Sequence, residues 1–465
     1  MTTAGRWAEL VEPGRRGPVT VLAAGVLLFA VDTYVTASLL PSAVADIGGE
    51  AFYSWVTTIY LLAAVVASVL LSRVLAATSA RRAYLAALAA FGVGALVDAL
   101  SPSMAVLLVG RAVQGAGGGL LTAMAYALIR TTLPRRTWTR ASAVISMMWG
   151  VGLLIGPALG GFFAEIGAWR GAFGVLVGVT ALVAAGVPAA LRRAGGRPPV
   201  PSAPFPLTSV LLVGGAAAVL SVSGLGHDLA LALGGLAGAL VLLAVFLLHE
   251  RRAAGAGGRA GVLPVAVFGR ASPLRAVYAT AAVLVGASAV EAFVPLFGQR
   301  LGGLSPLVAG FLGTALAAGW VVGEISSAGT AHPRRAVGVG PVLLVVGLVA
   351  AGVTQTADAS GPVVAVWALG LLLAGLGIGM AWPHLAAAAM DVDDADDAGE
   401  GDKASGAITT VQMLAVAVGA SLAGVAVSLG EPDPARSARL LFGVLAVVSV
   451  GAVAAALRAR RATVS

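Results

Sequence analysis

Cysteine is absent from all 465 residues, so neither a disulfide frame nor a thiolate metal site is available and redox compartment cannot be read. Charge is scarce as well: 11% of residues are charged against 59% hydrophobic, with a mean hydropathy of +0.96. That balance lies far outside the soluble range and predicts an all-α integral membrane protein. Lysine is nearly missing, Lys403 being the only one among 29 basic residues. No phosphate-binding Walker loop, no HExxH pair and no GxSxG at a strand-to-helix turn occurs, so neither ATP-driven work nor enzymatic hydrolysis by this chain is expected. Nothing calls for a cofactor or a metal. The N-terminal MTTAGRWAELVEPGRRG is too polar for a secretory leader, so the first apolar run is expected to stay as a span.

What is present is apolar sequence in long runs. A bilayer core about 30 Å thick needs ~20 residues of helix. Runs of that order fall near 19–41, 52–75, 83–100, 103–130, 137–164, 170–191, 207–225, 229–249, 277–299, 304–328, 337–357, 361–390, 404–428 and 435–457. About fourteen spans are therefore predicted. The formal charge of +8 comes from arginines in the short loops between them, which makes nucleic acid an unsuitable partner. With the N-terminus inside, only Arg170, Arg300, Arg436 and Arg439 fall on the outer side, so both termini are expected in the cytoplasm. The Arg- and Pro-rich stretch 192–206 reads as a stiff connector, 250–270 as a flexible basic loop, and the acidic run DVDDADDAGEGDK after Met390 as a solvated loop, with cation binding or interaction with the basic loops as its alternatives.

An internal repeat organises these runs. VDTYV at 31–35 matches VEAFV at 290–294, LLVGRAVQG at 107–115 matches LLLAGLGIG at 371–379, and ASAVIS at 141–146 matches ASGAIT at 404–409. The offset stays near 260 residues through three helix pairs in one order, the signature of a duplicated transporter half. We expect a six-helix bundle over 1–191, a connector with two extra helices over 192–270, and a second six-helix bundle over 271–465.

Charged residues inside the runs are the functional candidates, because each costs at least ~2.5–3.5 kcal/mol at bilayer depth. At ~1.5 Å per residue, Asp32 lies roughly 20 Å from the cytoplasmic face and Arg111 roughly 18 Å. At one depth they can neutralise each other, either as a static staple or as a pair that protonation opens. Glu291 occupies the matching level in the second half, four residues before Pro295 and with no basic residue beside it. It is a candidate proton carrier, since a carboxyl in low dielectric is cheaper neutral than charged. Glu324, at the cytoplasmic end of its run, reads as a gate or cap. Tyr34, Tyr60, Gln114, Trp149, Trp320, Trp382, His384 and Gln412 are candidates to line a cavity, His384 with a packing role as its alternative.

These motifs resemble the major facilitator superfamily, and within it the fourteen-helix drug:proton antiporters. LLVGRAVQGAGGG is similar to that family's fourth-helix motif through Arg111, Gln114 and Gly115. GVGLLIGPALGG resembles the antiporter motif, placing Gly152, Gly156, Pro157, Gly160 and Gly161 as a hinge. VDTYVTASLLPSAVADIGG resembles the first-helix motif, with its acid at Asp32 and its Leu-Pro at Leu40 and Pro41. The loop motif before residue 83 is degraded: Ser72, Ala76 and Ser79 stand where the family has Gly, Asp and Gly, while Arg73, Arg81 and Arg82 are kept. The resemblance implies a monomeric transporter of the inner membrane that exports lipophilic or amphipathic small molecules in exchange for protons, with Asp32, Glu291 and Arg111 as the coupling residues. Its rivals are an exporter of lipids or endogenous metabolites and a non-transporting receptor or scaffold.

Overall fold

Apolar runs of this length can satisfy every backbone N–H and C=O in lipid only as helices, and helices are what the chain forms. The computed structural model describes residues 7–49, 52, 55–192, 206–223, 229–255, 261–269, 272–391 and 400–459. In chain order the helices are α1 (Arg16–Ile47), α2 (Trp55–Val69), α3 (Leu71–Ala77), α4 (Ala80–Ala99), α5 (Met104–Thr132), α6 (Trp138–Glu165), α7 (Trp169–Ala190), α8 (Leu207–Ser223), α9 (Leu229–Gly255), α10 (Leu274–Ala287), α11 (Val294–Gly302), α12 (Pro306–Gly313), α13 (Ala315–Ser327), α14 (Pro333–Val353), α15 (Gly361–Met390), α16 (Glu400–Ser428) and α17 (Pro434–Ala459).

Twelve segments among the described residues are long and apolar enough to cross a membrane, and a thirteenth arises if α2 and α3, bent by 55°, count as one span. The expected fourteen are not reached. The run at 207–225 supplies an apolar helix only over Leu207–Leu220, about 21 Å of rise against a core of about 30 Å. Two other runs are not single helices. The run 277–299 is interrupted by a 3-10 turn at Ser288–Ala292 between α10 and α11. Pro295 lacks the N–H that would bond the Glu291 carbonyl, and its ring crowds that carbonyl. The run 304–328 divides into α12 and α13 at Thr314.

The chain forms two compact units. One comprises Met1–Ala218, Val245–Val265 and Met390–Thr410; the other comprises Val219–Ala244, Ala266–Ala389 and Val411–Ser465. In the first, α1 packs on α5, α6 and α7, α4 on α5 and α7, and α2 on α5. The α6 faces show why this works in lipid. Gly152, Gly156 and Gly160 are buried, while Leu154 is 64% and Phe162 56% exposed, an apolar outer face that needs no water. In the second unit α17 packs on α10 and α14, and α13 meets α15 through small residues: a Cβ at Gly319 would lie 2.8 Å from the Leu372 carbonyl carbon.

The connectors carry polar ties of their own in the first unit. Buried Glu250 at the end of α9 accepts from Ser209 Oγ (2.6 Å) and from the backbone N–H groups of Val262 and Leu263 (2.9 Å each), fastening the added helices to the loop that follows. Of the acidic run, Asp391 pairs with Arg135, and Glu400 accepts from Lys403 Nζ at 2.8 Å and from the Val265 N–H at 2.6 Å. Residues 392–399 of that run, and 193–205 of the Arg-Pro connector, lie outside the described residues.

Candidate functional site

The middle of the first unit holds charge where its surroundings are almost wholly apolar. Asp32 on α1 is 0% exposed, Arg111 on α5 1% and Gln114 0%. Residues 111 and 114 are neighbours on one helix face, so a single turn of α5 presents both to α1. Arg111 Nη1 donates to Asp32 Oδ2 at 2.6 Å and to Gln114 Oε1 at 2.7 Å. Gln114 Nε2 closes the ring with a bond to Asp32 Oδ1 at 3.0 Å. Each carboxylate oxygen thus has a donor.

Aromatic side chains pack around the ring. The Arg111 guanidinium carbon lies 3.9 Å from the centre of the Tyr60 ring, and Arg111 Nε reaches the Val56 carbonyl at 3.4 Å. A planar cation over an aromatic face gains most when water is excluded. Tyr60 stacks on Phe29 at 5.1 Å and donates its hydroxyl to the Phe29 carbonyl at 3.2 Å; Trp149 meets the other side of Phe29 edge-on at 5.5 Å. Gly115 allows α5 to approach this closely, for a Cβ there would sit 2.8 Å from the Tyr60 carbonyl carbon.

The Gly-Pro motif runs along the other side of Asp32. Gly152, Gly156 and Gly160 face α1 at one-turn intervals; a Cβ at 152 would lie 2.6 Å from Ala30 Cβ, at 156 3.0 Å from the Val31 oxygen, and at 160 2.6 Å from the Val35 oxygen. Half-buried Tyr34 lies against Gly156, and Ser38 Oγ donates to the Pro157 carbonyl at 3.3 Å. Helix α6 continues without a break through Pro157, which is exposed, and through Gly161. The motif is therefore a close helix–helix seam beside the acid.

In the second unit Glu291 is half-buried on the 3-10 turn, with its Oε1 buried and without a hydrogen-bond partner among the described residues. Glu324 is 0% exposed rather than a surface cap, and accepts from the Trp320 indole N–H at 2.8 Å. Trp320 stands 6.4 Å from Trp382, which is 1% exposed, and His384 (5% exposed) contacts the Ser327 carbonyl through Nε2 at 3.1 Å. Gln412 is buried on α16. The tryptophans, Glu324 and His384 thus share the α13–α15 contact. Arg73 on α3 is half-buried, whereas Arg81 and Arg82 are exposed at the start of α4, whose first turn is capped by Ser79 Oγ accepting from the Arg82 N–H at 3.4 Å.

Asp98, near the end of α4, escaped the sequence reading. Its position at the edge of an apolar run suggests an acid at the membrane surface, yet it is 0% exposed and neither carboxylate oxygen has a partner among the described residues. The available signal was its place inside the run, two residues before the loop.

The family model of the Major Facilitator Superfamily matches residues 22–420. A probable multidrug-efflux transporter of Mycobacterium tuberculosis is 47% identical over 457 residues, 96% of this chain and 95% of that one. The tetracenomycin C resistance and export protein of Streptomyces glaucescens is 30% identical over 380 residues, 78% of this chain and 68% of the relative. Among solved structures, the human organic anion transporter MFSD10 superposes with a TM-score of 0.68 at 18% identity, covering 96% of this chain and all (100%) of that one. The proton:xylose symporter XylE does so at 0.62 and 14% identity, with 93% and 94% covered; at these identities the likeness is one of fold. An all-helical chain of apolar spans, two compact units and a buried acid–arginine pair, matched by the family model over most of its length, belongs to the Major Facilitator Superfamily and is a multi-pass membrane transporter of small molecules.

Proposed function

We propose that this transporter is a proton-coupled antiporter that exports amphipathic or lipophilic small molecules across the cell membrane by alternating access. The observation that carries the reading is the closed Asp32–Arg111–Gln114 ring, fully buried in an apolar bundle. An acid and a base at bilayer depth stabilise apolar helices poorly compared with well-packed hydrophobic residues, so a working role accounts for them better than a structural one. Protonating Asp32 removes the charge that holds Arg111 and loosens the ring. The proton is thereby exchanged for a change in which groups α5 offers to a ligand.

Glu291, whose Oε1 lacks a partner, is the matching proton carrier of the second half. The glycine seam between α1 and α6 lets a shift of α1 after protonation pass to its neighbour. Export is the direction named for the relatives of Mycobacterium and Streptomyces, and an amphipathic or lipophilic cargo suits apolar surroundings built of Tyr60, Phe29 and Trp149. We place the chain in the fourteen-helix group, with α8 and α9 as its added pair, and both termini in the cytoplasm on the arginine distribution.

The test is ethidium efflux from proteoliposomes under an imposed proton gradient. Asp32→Asn is expected to cut gradient-driven efflux at least ~10-fold, about 1.4 kcal/mol of coupling, while the purified protein stays monodisperse. Efflux at the unaltered rate in that variant removes Asp32 from the mechanism. Glu291→Gln is expected to act in the same direction.

A further inference from the structure

Helices α4 and α5 run antiparallel with their small residues in register. A Cβ at Gly94 would lie 2.6 Å from Gln114 Cα, and one at Gly110 would lie 2.8 Å from the Asp98 carboxyl carbon. Asp98 is therefore one turn, about 6 Å of rise, beyond Gln114 along the same seam, toward the loop that joins the two helices. Arg111 lies within that turn.

Count the charges in this dry region. There are two carboxyls, Asp32 and Asp98, and one guanidinium. Arg111 and Gln114 satisfy Asp32 completely, and nothing among the described residues donates to Asp98. One cation balances one carboxylate; a second, unpaired and buried, would cost several kcal/mol. The remaining acid must therefore carry a proton.

Other charges face elsewhere. Helix α4 packs against α3, α5 and α7. α3 contributes Arg73 at the far end of α4, and α5 contributes Arg111. α7 contributes Arg170, engaged with Asp46 of α1 and donating to the Ser101 carbonyl at 2.8 Å. On the loop, the Ser101 hydroxyl bonds the Asp98 backbone carbonyl at 2.9 Å rather than its carboxyl.

We propose that Asp98 is a second proton-carrying residue of the Asp32–Arg111 site, the two acids sharing one proton and one arginine. With Arg111 held by Asp32, Asp32 is the carboxylate and Asp98 the acid. When the proton passes to Asp32, the O–H bond at Asp98 breaks, one forms on an Asp32 oxygen, and Arg111 becomes the counter-charge of the new Asp98 carboxylate. Net charge is unchanged, so the bundle interior never holds an unbalanced ion. Lying nearer the α4–α5 loop than Asp32, Asp98 is the buried acid that a proton entering from that end meets before Asp32. The inference rests on the proton-coupled reading above and adds a residue to it.

The test uses the full-length protein in proteoliposomes and two readouts. Infrared difference spectra between wild type and Asp98→Asn should assign a protonated-carboxyl C=O band to Asp98. In Asp32→Asn that band should fall away, because Arg111 then draws the charge onto Asp98; an acid with only a packing role would keep it. With ethidium as probe, Asp98→Asn should move the pH midpoint of gradient-driven efflux by about one unit or more, a tenfold change in proton affinity, and Asp98→Glu should return it. Absence of an Asp98 band, persistence of the band in Asp32→Asn, or an unmoved pH midpoint overturns the proposal. Should Asp98→Asn fail to fold, Gly110→Ala pushes a Cβ onto the carboxyl and should shift the band; an unshifted band overturns it equally. If wild-type vesicles move no ethidium, the export reading fails, and the band in Asp32→Asn alone then decides whether the two acids share the proton.

Discussion

At the scale of single residues, the chemistry depends on geometry that only an arginine can supply. Arg111 spends one nitrogen on both Asp32 and Gln114, another on the Val56 carbonyl, and its flat face on Tyr60. A lysine keeps the charge but has neither the fork nor the face. Arg111→Lys is accordingly expected to lower ethidium efflux at least ~10-fold, a loss of about 1.4 kcal/mol, with the protein still folded by thermal melt. Activity at the wild-type level would mean that charge alone suffices. Gln114→Ala leaves one Asp32 oxygen without its donor, at a cost of ~1–3 kcal/mol for a buried acceptor. A melting temperature lower than wild type, with the pH midpoint of efflux displaced, is the expected result.

At the scale of elements, small residues decide which helices can touch. The α1–α6 seam has no room for a side chain at Gly156, whereas at Gly174 on α7 nothing lies within 4 Å of a Cβ. Gly156→Val should therefore destabilise by ~1–3 kcal/mol through overpacking, and should impair efflux because the seam flanks Asp32. Gly174→Ala should be neutral in both assays. Equal effects of the two substitutions would show that glycine content, rather than the close approach of α6 to α1, is what matters. The broken stretch α10–3-10–α11 belongs to the same scale: Pro295 ends the continuous helix at the turn bearing Glu291, leaving an irregular backbone beside an acid, which membrane proteins tolerate where the backbone is shielded by protein or lines a cavity.

For the whole molecule, the question is which way the chain is threaded. The absence of cysteine makes the native protein its own background for single-cysteine labelling. The arginine asymmetry predicts that Arg81→Cys is blocked by an impermeant maleimide only when the cytoplasmic face is open, and that Glu431→Cys is blocked in intact cells. Arg81 is exposed at the start of α4 and Glu431 lies in the exposed turn between α16 and α17, so both sites are accessible to reagent. The reverse pattern would invert the assigned topology.

By itself the sequence determined that the chain lives in a bilayer and that Asp32 and Arg111 lie at one depth, because hydropathy and helical rise are properties of the chain read along its length. It did not show where runs bend or break, since length and apolarity cannot tell one helix from two short ones: the run at 52–75 is bent by 55° between α2 and α3, and those at 277–299 and 304–328 are interrupted near Pro295 and Thr314. It offered Tyr60 as a cavity candidate and Gln114 as both a cavity candidate and a motif neighbour of Arg111; side-chain direction across a helix pair made Gln114 a partner of both charges and Tyr60 the surface beneath them. For Asp98 the sequence offered only its place inside an apolar run, and its burial needed the tertiary structure. Whether an acid near the end of a span meets water or the bundle interior depends on what the neighbouring helix presents, and here Gly110 lets α5 close over it.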